Sequence, residues 1–330
     1  MAFYFYTETA FHHEGDWDYL IKLIDASKRV GAQGVKFQVI MDIDKLTSSK
    51  HALYPKLQSC VFSKEEWEKA FNYCQENGLD VIMMPLDLGS FDLIKDGNTK
   101  ISYLDLHSVS FYDQIILDKI KQSEIPLMIG VGGRSIDEIN EKRSFFGDQL
   151  KVLMVGFQSY PSKLEDVKLG RIQLYKDMYP SMEIGYADHS SFDSEFAIKS
   201  NEYAYLLGAT YFEKHITIDP GKERLDFQSA LGEENVKQLI ENLNYLDQQV
   251  FRFSKGDLRK IEEPELTYRN RQKVVVAKTD LKVGEIITNE NTLFKMTQSG
   301  EGEQSISTLF NKQLINSVDK DVAILLTDVQ

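Results

Sequence analysis

The sequence predicts a (β/α)8 barrel followed by a small C-terminal domain. Eight short apolar runs alternate with longer, mostly amphipathic segments over residues 1–253, as strands and helices do in such a barrel. At 330 residues the chain is about twice as long as a typical domain, which favours one large domain and one small one. Counting the runs alone leaves an open, doubly wound sheet as the alternative.

The eight apolar runs are predicted to be the strands of the barrel. In chain order they are residues 3–6, 34–40, 80–85, 101–107, 125–131, 151–157, 182–186 and 209–215. Between the first two runs, Leu20, Leu23 and Ile24 share one face of a predicted helix. Ser63 and Glu66 have the spacing of a capping box, which predicts the start of the helix after the second strand.

The chain changes character after a helix predicted at residues 233–253. Residues 254–272 are charged, contain one proline and lack helical periodicity, so they are predicted to be a linker. The barrel domain is therefore predicted at 1–253 and the C-terminal domain at 273–330. A domain of about 60 residues without disulfides or metal ligands is marginal by itself. We expect it to pack on the barrel or on another chain.

Composition favours a soluble, cytoplasmic protein that binds small molecules. The formal net charge is -13 and no basic tract occurs, which argues against a nucleic-acid partner. The first residues lack the basic start of a signal peptide, and no apolar run reaches the about 20 residues of a membrane helix. Two cysteines, Cys60 and Cys74, are too few to staple the chain and have no metal-site spacing.

Barrel active sites lie at the carboxyl ends of the strands, so the polar residues that end the predicted strands are the first candidates. They are Glu8, Lys36, Gln38, His107, Ser108, Gln158, Asp188, His189, Glu213, Lys214 and His215.

Six segments resemble the sialic acid synthase family, and they occur in that family's order. Residues 15–33, "GDWDYLIKLIDASKRVGAQ", and 34–40, "GVKFQVI", are similar to its first helix and its lysine-bearing second strand. The next three are "YPSKLEDVKL", "IGYADHSS" and "GATYFEKHITID", which resemble the loop after strand six and the ends of strands seven and eight. Residues 277–296, "AKTDLKVGEIITNENTLFKM", are similar to its C-terminal antifreeze-like domain.

The resemblance implies a fold, a reaction and a quaternary structure. The fold is the barrel with an antifreeze-like domain, usually contributed across a homodimer. The reaction is a metal-assisted condensation of phosphoenolpyruvate with the open-chain aldehyde of an N-acetylated amino sugar, such as N-acetylmannosamine. Its products are a nine-carbon 2-keto acid, that is a nonulosonic or sialic-type acid, and phosphate.

The resemblance also implies roles for individual residues. His189 and His215 end neighbouring strands and match the ligands of a divalent metal, Mn²⁺ or Mg²⁺, which would polarise the aldehyde oxygen. Asp188 is expected to orient His189, and Lys36 to bind the anionic donor. The catalytic residues implied are Glu8, Glu213, Asp226 and Asp188, and the substrate-binding residues are Lys36, Gln38, Ser108, Gln158, Arg134 and Lys214.

The chain departs from the family at its phosphate-binding positions. Asp105 replaces a lysine, Gly130 and Ala187 replace serines, and Met296 replaces an arginine that contacts the sugar. Each change removes a donor for a phosphate or hydroxyl, and an aspartate in place of a lysine repels an anion. Compensating donors are expected from the backbone amides of "GVGGRS" and from Arg134, His107 and Gln158.

Three hypotheses follow from the matches and departures together. The first is a nonulosonic acid synthase that still uses phosphoenolpyruvate in an altered phosphate site. The second is a metal-dependent aldolase or lyase for a 2-keto acid, which needs no phosphate site. The third is a catalytically silent relative that binds or scaffolds, and the retained histidine pair argues against it.

Overall fold

The computed structural model describes residues 3–95, 99–156, 159–250, 260–269, 271–298 and 300–330. The chain divides into two compact units, Met1–Arg252 and Phe253–Gln330.

The first unit contains a closed barrel of eight parallel strands, which confirms the predicted (β/α)8 fold. Each strand pairs with the next, and the first pairs with the eighth to close the barrel. The strands are β1 Tyr4–Glu8, β2 Gly34–Val39, β3 Asp80–Pro85, β4 Tyr103–Leu106, β5 Leu127–Gly130, β6 Leu150–Gly156, β7 Glu183–Asp188 and β8 Tyr211–Thr217. A two-residue strand, β9 Leu231–Gly232, extends the pairing beyond β8.

Helices connect the strands, and their ends follow the sequence signals. They are α1 Trp17–Arg29, α2 Ile43–Leu46, α3 Tyr54–Gln58, α4 Lys64–Glu76, α5 Asp92–Lys95, α6 Gln114–Ser123, α7 Ile136–Phe146, α8 Leu164–Val167, α9 Arg171–Met178, α10 Phe196–Leu206 and α11 Glu233–Tyr245. The predicted capping box of Ser63 and Glu66 starts α4. Among the described helices, none has both the length and the apolar character needed to cross a bilayer.

Side chains alternate between the outside and the inside of the barrel along each strand, and this alternation separates two apolar layers. The outer layer packs the strands against the helices, with Phe5, Phe37 and Phe212 fully buried there. The inner layer fills the barrel with residues such as Tyr6 and Met128. The polar residues that face inwards, such as Glu8 and His215, lie beyond this apolar layer, towards the carboxyl ends of the strands.

Strand register places three of the predicted site residues side by side. Glu8 at the end of β1 pairs in register with Lys36 of β2 on one side and with His215 of β8 on the other. The closure of the barrel between β1 and β8 is therefore what assembles the site.

The second unit has a small core of its own. Its two strands, β10 Lys273–Ala277 and β11 Thr292–Met296, pair antiparallel, and Val275, Leu281 and Ile324 are buried in its core. Helix α12, Glu263–Arg269, lies inside the predicted linker 254–272, so part of that segment is helical rather than irregular. The rest of this segment falls partly outside the described residues, and the antifreeze-like assignment stays a prediction.

Candidate active site at the carboxyl end of the barrel

A cavity of about 630 Å³ opens at the carboxyl ends of the strands, within the size range of small-molecule sites. The predicted site residues that line it are Glu8, Lys36, Gln38, Ser108, His189, Glu213, His215 and Asp226.

Lys36 stands at the centre of three buried carboxylates. Its Nζ lies 2.8 Å from Glu8 Oε2 and 2.9 Å from Asp105 Oδ2. The third partner is Glu213, whose Oε2 lies 2.6 Å away and also accepts a hydrogen bond from Tyr6. Gln38 donates to the second oxygen of Glu8 at 2.6 Å. We call Lys36, Glu8, Asp105 and Glu213 the lysine cage.

The lysine cage holds three acids and only one lysine, and the pKa values of Glu213 and Glu8 shift in opposite directions. Burial and the neighbouring carboxylates Glu8 and Asp105 outweigh Lys36 and raise the pKa of Glu213 to about 8. Burial also acts to raise the pKa of Glu8, but the charges of Lys36 and His215 hold it well below its usual value. Such opposed pKa values in neighbouring acids are typical of catalytic sites.

His189, Glu213 and His215 form a candidate metal site next to the lysine cage. One ligand atom from each lies within 4.8 Å of the others, and all three residues are buried. The two imidazole rings approach each other with centroids 4.9 Å apart. The structure thus brings together the two histidines that the sequence singled out.

The hydrogen bonds of the two histidines suit metal ligation. The carbonyl oxygen of Ala187 lies 3.1 Å from His189 Nδ1 and can only accept, so that nitrogen carries the proton and Nε2 the lone pair. Ser229 Oγ lies 3.4 Å from His215 Nδ1. The other nitrogen of His215, Nε2, is buried without a well-aligned hydrogen bond and lies 3.4 Å from Glu8 Oε2, so a metal at this nitrogen would take the place of that contact.

The pKa values of the three groups differ in how well they suit a metal. Burial acts to lower the pKa of His215, but the Glu8 carboxylate outweighs it and raises that pKa, so His215 would give up a proton on binding an ion. Burial, with a contribution from His215, lowers the pKa of His189 to about 3, so its ring is neutral near pH 7. A glutamate that ligates a metal must be ionised, and Glu213 would release its proton on binding. Two histidines and one carboxylate form a donor set that suits several divalent ions.

Asp226 reaches the cavity from the loop after β8. Its backbone is left-handed, with a φ of 64°, a conformation that aspartate tolerates better than most residues. Its backbone carbonyl accepts a hydrogen bond from Tyr160, which also pairs with Ser229. Burial raises the pKa of the Asp226 carboxyl group.

Asp188 and Lys214 do not reach the cavity. They form a fully buried ion pair of 2.7 Å, and Ser190 donates to Asp188 through both its backbone N–H and its hydroxyl. The reason is strand alternation, since each lies next to an inward-facing residue of its strand and points to the opposite face. The predicted roles of Asp188 in orienting His189 and of Lys214 in binding substrate are therefore not supported by their positions.

Arg134 and Gln158 are not among the residues described at the cavity. The Arg134 guanidinium lies 4.0 Å from the centroid of the Phe111 ring, donates to the carbonyl of Ser108 and does not line the cavity. This position corrects the expectation that Arg134 replaces the missing phosphate donors. Gln158 lies outside the described residues.

The start of α7 is also less suited to an anion than predicted. Ser135 and Glu138 cap it reciprocally, so that the Glu138 carboxylate accepts from the Ser135 N–H. That carboxylate already takes the place that an anion would occupy at the helix start. Of the expected compensating donors, His107 does line the cavity.

The sequence analysis did not single out Tyr160 and Ser229, which support His215 and Asp226. Tyr160 lies in the segment "YPSKLEDVKL", so a signal for it was present. Ser229 lies in the loop between β8 and β9 without a distinctive pattern, and only the tertiary structure places it beside His215.

These features define a class, a (β/α)8 barrel with a candidate metal-dependent active site at the carboxyl ends of its strands. The chain belongs to the NeuB family, whose model matches residues 23–252.

Individual relatives match most of the chain. It is 27% identical over 327 residues to an uncharacterised protein of Methanocaldococcus jannaschii, covering 98% of this chain and 93% of that protein. It is 24% identical to the N-acetylneuraminate-9-phosphate synthase of Drosophila melanogaster, covering 98% and 94%. A similar solved structure is the N-acetylneuraminic acid (sialic acid) synthetase of Leptospira borgpetersenii in complex with citrate. Its TM-score is 0.72 at 21% identity, covering 82% of this chain and 92% of that one, which shows a shared fold.

Proposed function

We propose that the chain is a sialic-type acid synthase that condenses phosphoenolpyruvate with the open-chain aldehyde of an N-acetylated amino sugar. The observation that carries this proposal is the convergence of His189, Glu213 and His215 beside the lysine cage, in a chain of the NeuB family. The relatives named as synthases of sialic-type acids support the same reaction class. Mn²⁺ or Mg²⁺ is the proposed metal.

The reaction forms one carbon–carbon bond and releases phosphate. The terminal alkene carbon of phosphoenolpyruvate bonds to the aldehyde carbon, and the aldehyde oxygen takes up a proton. Water adds to the carbon that bears the phosphate and loses a proton, and phosphate then leaves to give the 2-keto acid. A divalent metal held by His189, Glu213 and His215 would polarise the aldehyde oxygen.

The residues of the chain position the donor and move the protons. Lys36 offers a fixed positive charge to the donor carboxylate in a buried setting, where such a contact is stronger than in water. Asp226 is the acid best placed to exchange a proton with substrate, because it makes no ion pair among the described contacts and burial raises its pKa. Glu213, in contrast, contacts Lys36 and Tyr6 and is itself a proposed ligand of the metal.

Phosphate release tests the proposal. The full chain with Mn²⁺ is mixed with phosphoenolpyruvate and a panel of N-acylated hexosamines, and both phosphate and the 2-keto acid are measured. We expect the two products in equal amounts, and only when sugar and metal are both present. Phosphate release that does not depend on the sugar, or no release with any sugar, contradicts the proposal.

One observation favours a second function, a metal-dependent 2-keto acid aldolase or lyase. Asp105 lies 2.9 Å from Lys36, where it would repel a phosphate, and Arg134 does not line the cavity. A donor that carries only a carboxylate, such as pyruvate, has less negative charge than phosphoenolpyruvate and is repelled less. Product formation from pyruvate but not from phosphoenolpyruvate in the same assay would establish this alternative.

The proposed homodimer, with an antifreeze-like domain contributed across its interface, is tested separately. Sedimentation of the full chain and of a variant that ends before the linker should give a dimer and a weaker or absent dimer, respectively. A monomeric full chain contradicts the proposal.

A further inference from the structure

The cavity has two chemically different ends. The first, the floor, carries the lysine cage and the histidines. The second is one side of the cavity, which is formed by apolar residues that follow β1, β2 and β8. We call this side the apolar wall, and it consists of Phe11, Leu46, Leu53, Leu57 and Leu225.

The apolar wall is continuous with the reactive end of the cavity. Leu225 directly precedes Asp226, and Phe11 follows Glu8 by three residues. Leu46, Leu57 and Leu225 pack partly buried against one apolar cluster that includes Phe11. A ligand whose carbonyl lies at the histidines can therefore reach these leucine side chains within the same cavity.

The segment between β2 and α4 that carries most of the wall is held in place. The buried Asp87 carboxylate accepts from the backbone N–H groups of Met41 and Asp42, at 2.6 and 3.1 Å. Tyr54 of α3 donates to Asp44 of α2 at 2.8 Å. These bonds link α3 to α2, and the start of α2 to the loop that follows β3.

We propose that the apolar wall is a subsite for the N-acyl chain of the sugar and favours acyl chains longer than acetyl. This inference rests on the proposed function. A sugar hydroxyl buried against leucines would lose its hydrogen bonds to water without replacement, whereas an acyl chain gains from the same burial. His51 and Lys56 also line this side, but both are exposed and an ion pair there would be weak.

A series of acyl chains tests the subsite. The parent is assayed with N-acetyl-, N-propanoyl- and N-butanoylmannosamine, and the corresponding sugar alcohols, which cannot react, are titrated by calorimetry with Mn²⁺. Each buried methylene should raise kcat/KM and the affinity of the sugar alcohol by about fourfold. A flat or falling affinity along the series in the parent overturns the inference.

Two variants test whether the gain in affinity per methylene depends on the apolar wall. Leu57→Asn keeps a side chain of similar size but makes it polar, so the gain in affinity per methylene should be smaller than in the parent. Leu174→Asn is the matched control, since Leu174 lies on α9 and is 61% exposed. This variant should keep the gradient of the parent, that is, the same gain in affinity per methylene. A gradient in Leu57→Asn equal to that of the parent contradicts the assignment of the wall.

Turnover and binding separate this inference from the proposed function. A gradient in the affinities of the sugar alcohols without any turnover contradicts the synthase proposal and retains the acyl subsite. Turnover with a flat or falling gradient contradicts the subsite and retains the synthase.

Discussion

Asp105 is the residue whose replacement most directly changes the charge around Lys36. Asp105→Asn keeps the size of the side chain and removes one carboxylate charge at 2.9 Å from the ammonium. A lost hydrogen bond to a charged group costs about 1.5–3 kcal/mol of stability. Because Lys36 keeps Glu8 and Glu213 as partners, and the lost charge also relieves the repulsion of Glu213, we expect the free energy of unfolding to fall by at most about 1.5 kcal/mol.

The same replacement should strengthen the binding of phosphoenolpyruvate. An anion that contacts Lys36 from the side opposite Asp105 at a similar distance lies about 6 Å from that carboxylate, where like charges repel by about 3 kcal/mol at an effective dielectric constant of 20. Removing the repulsion therefore tightens binding by roughly 100-fold at most.

Calorimetric titration with Mn²⁺ present measures this gain. Asp148→Asn is the control, because Asp148 is exposed, and its affinity should equal that of the parent. Unchanged or weaker binding of phosphoenolpyruvate to Asp105→Asn would show that Asp105 does not oppose the donor phosphate.

Three further predictions concern residues around the site. Arg134→Ala should leave the affinity for phosphoenolpyruvate within about twofold in calorimetry, because Arg134 does not line the cavity; a tenfold loss would contradict that position. Asp188→Asn should lower the free energy of unfolding by about 3–5 kcal/mol in urea, because Lys214 stays buried without its countercharge, while Mn²⁺ affinity is retained. Burial lowers the pKa of His13 to about 3, and its Nδ1 accepts from Gly15, so the ring is neutral in the fold. The unfolded chain binds that proton below about pH 6.5, so this stability is present above pH 6.5 and falls by about 2 kcal/mol by pH 5. His13→Asn should reduce the difference in unfolding free energy between pH 7 and pH 5 by that amount, and an unchanged difference would show that His13 is not the cause.

The strands and the barrel could be predicted because burial on both faces leaves a strong sequence signal. The run at residues 80–85, for example, is apolar almost throughout, as strands covered by helices are. The helix α12 was harder to predict, because all its described residues are exposed and it therefore carries no apolar stripe for periodicity to detect.

The candidate site could be predicted in part, and strand alternation accounts for both the successes and the failures. Glu213 and His215 are two residues apart and share the inner face of β8, whereas Lys214 between them points outwards. That rule was available from the sequence alone.

Side-chain contacts between distant segments could not be predicted. The stacking of Arg134 on Phe111 and the pairing of Lys36 with Asp105 depend on how the strands and loops are arranged in space. The same is true of the apolar wall, whose residues come from three separate loops.

Binding of Mn²⁺ at equilibrium, followed by electron paramagnetic resonance, shows whether His189 and His215 hold a metal. The account predicts one Mn²⁺ per chain in the parent. It also predicts loss of that binding in His189→Ala and in His215→Ala, with unchanged far-ultraviolet circular dichroism, because ligands at the end of a barrel contribute little to its core. His51→Ala is the control, since His51 is exposed at the rim of the cavity, and it should bind the metal as the parent does. A parent that binds no Mn²⁺, or a His189→Ala variant that binds it as tightly as the parent, would contradict the account.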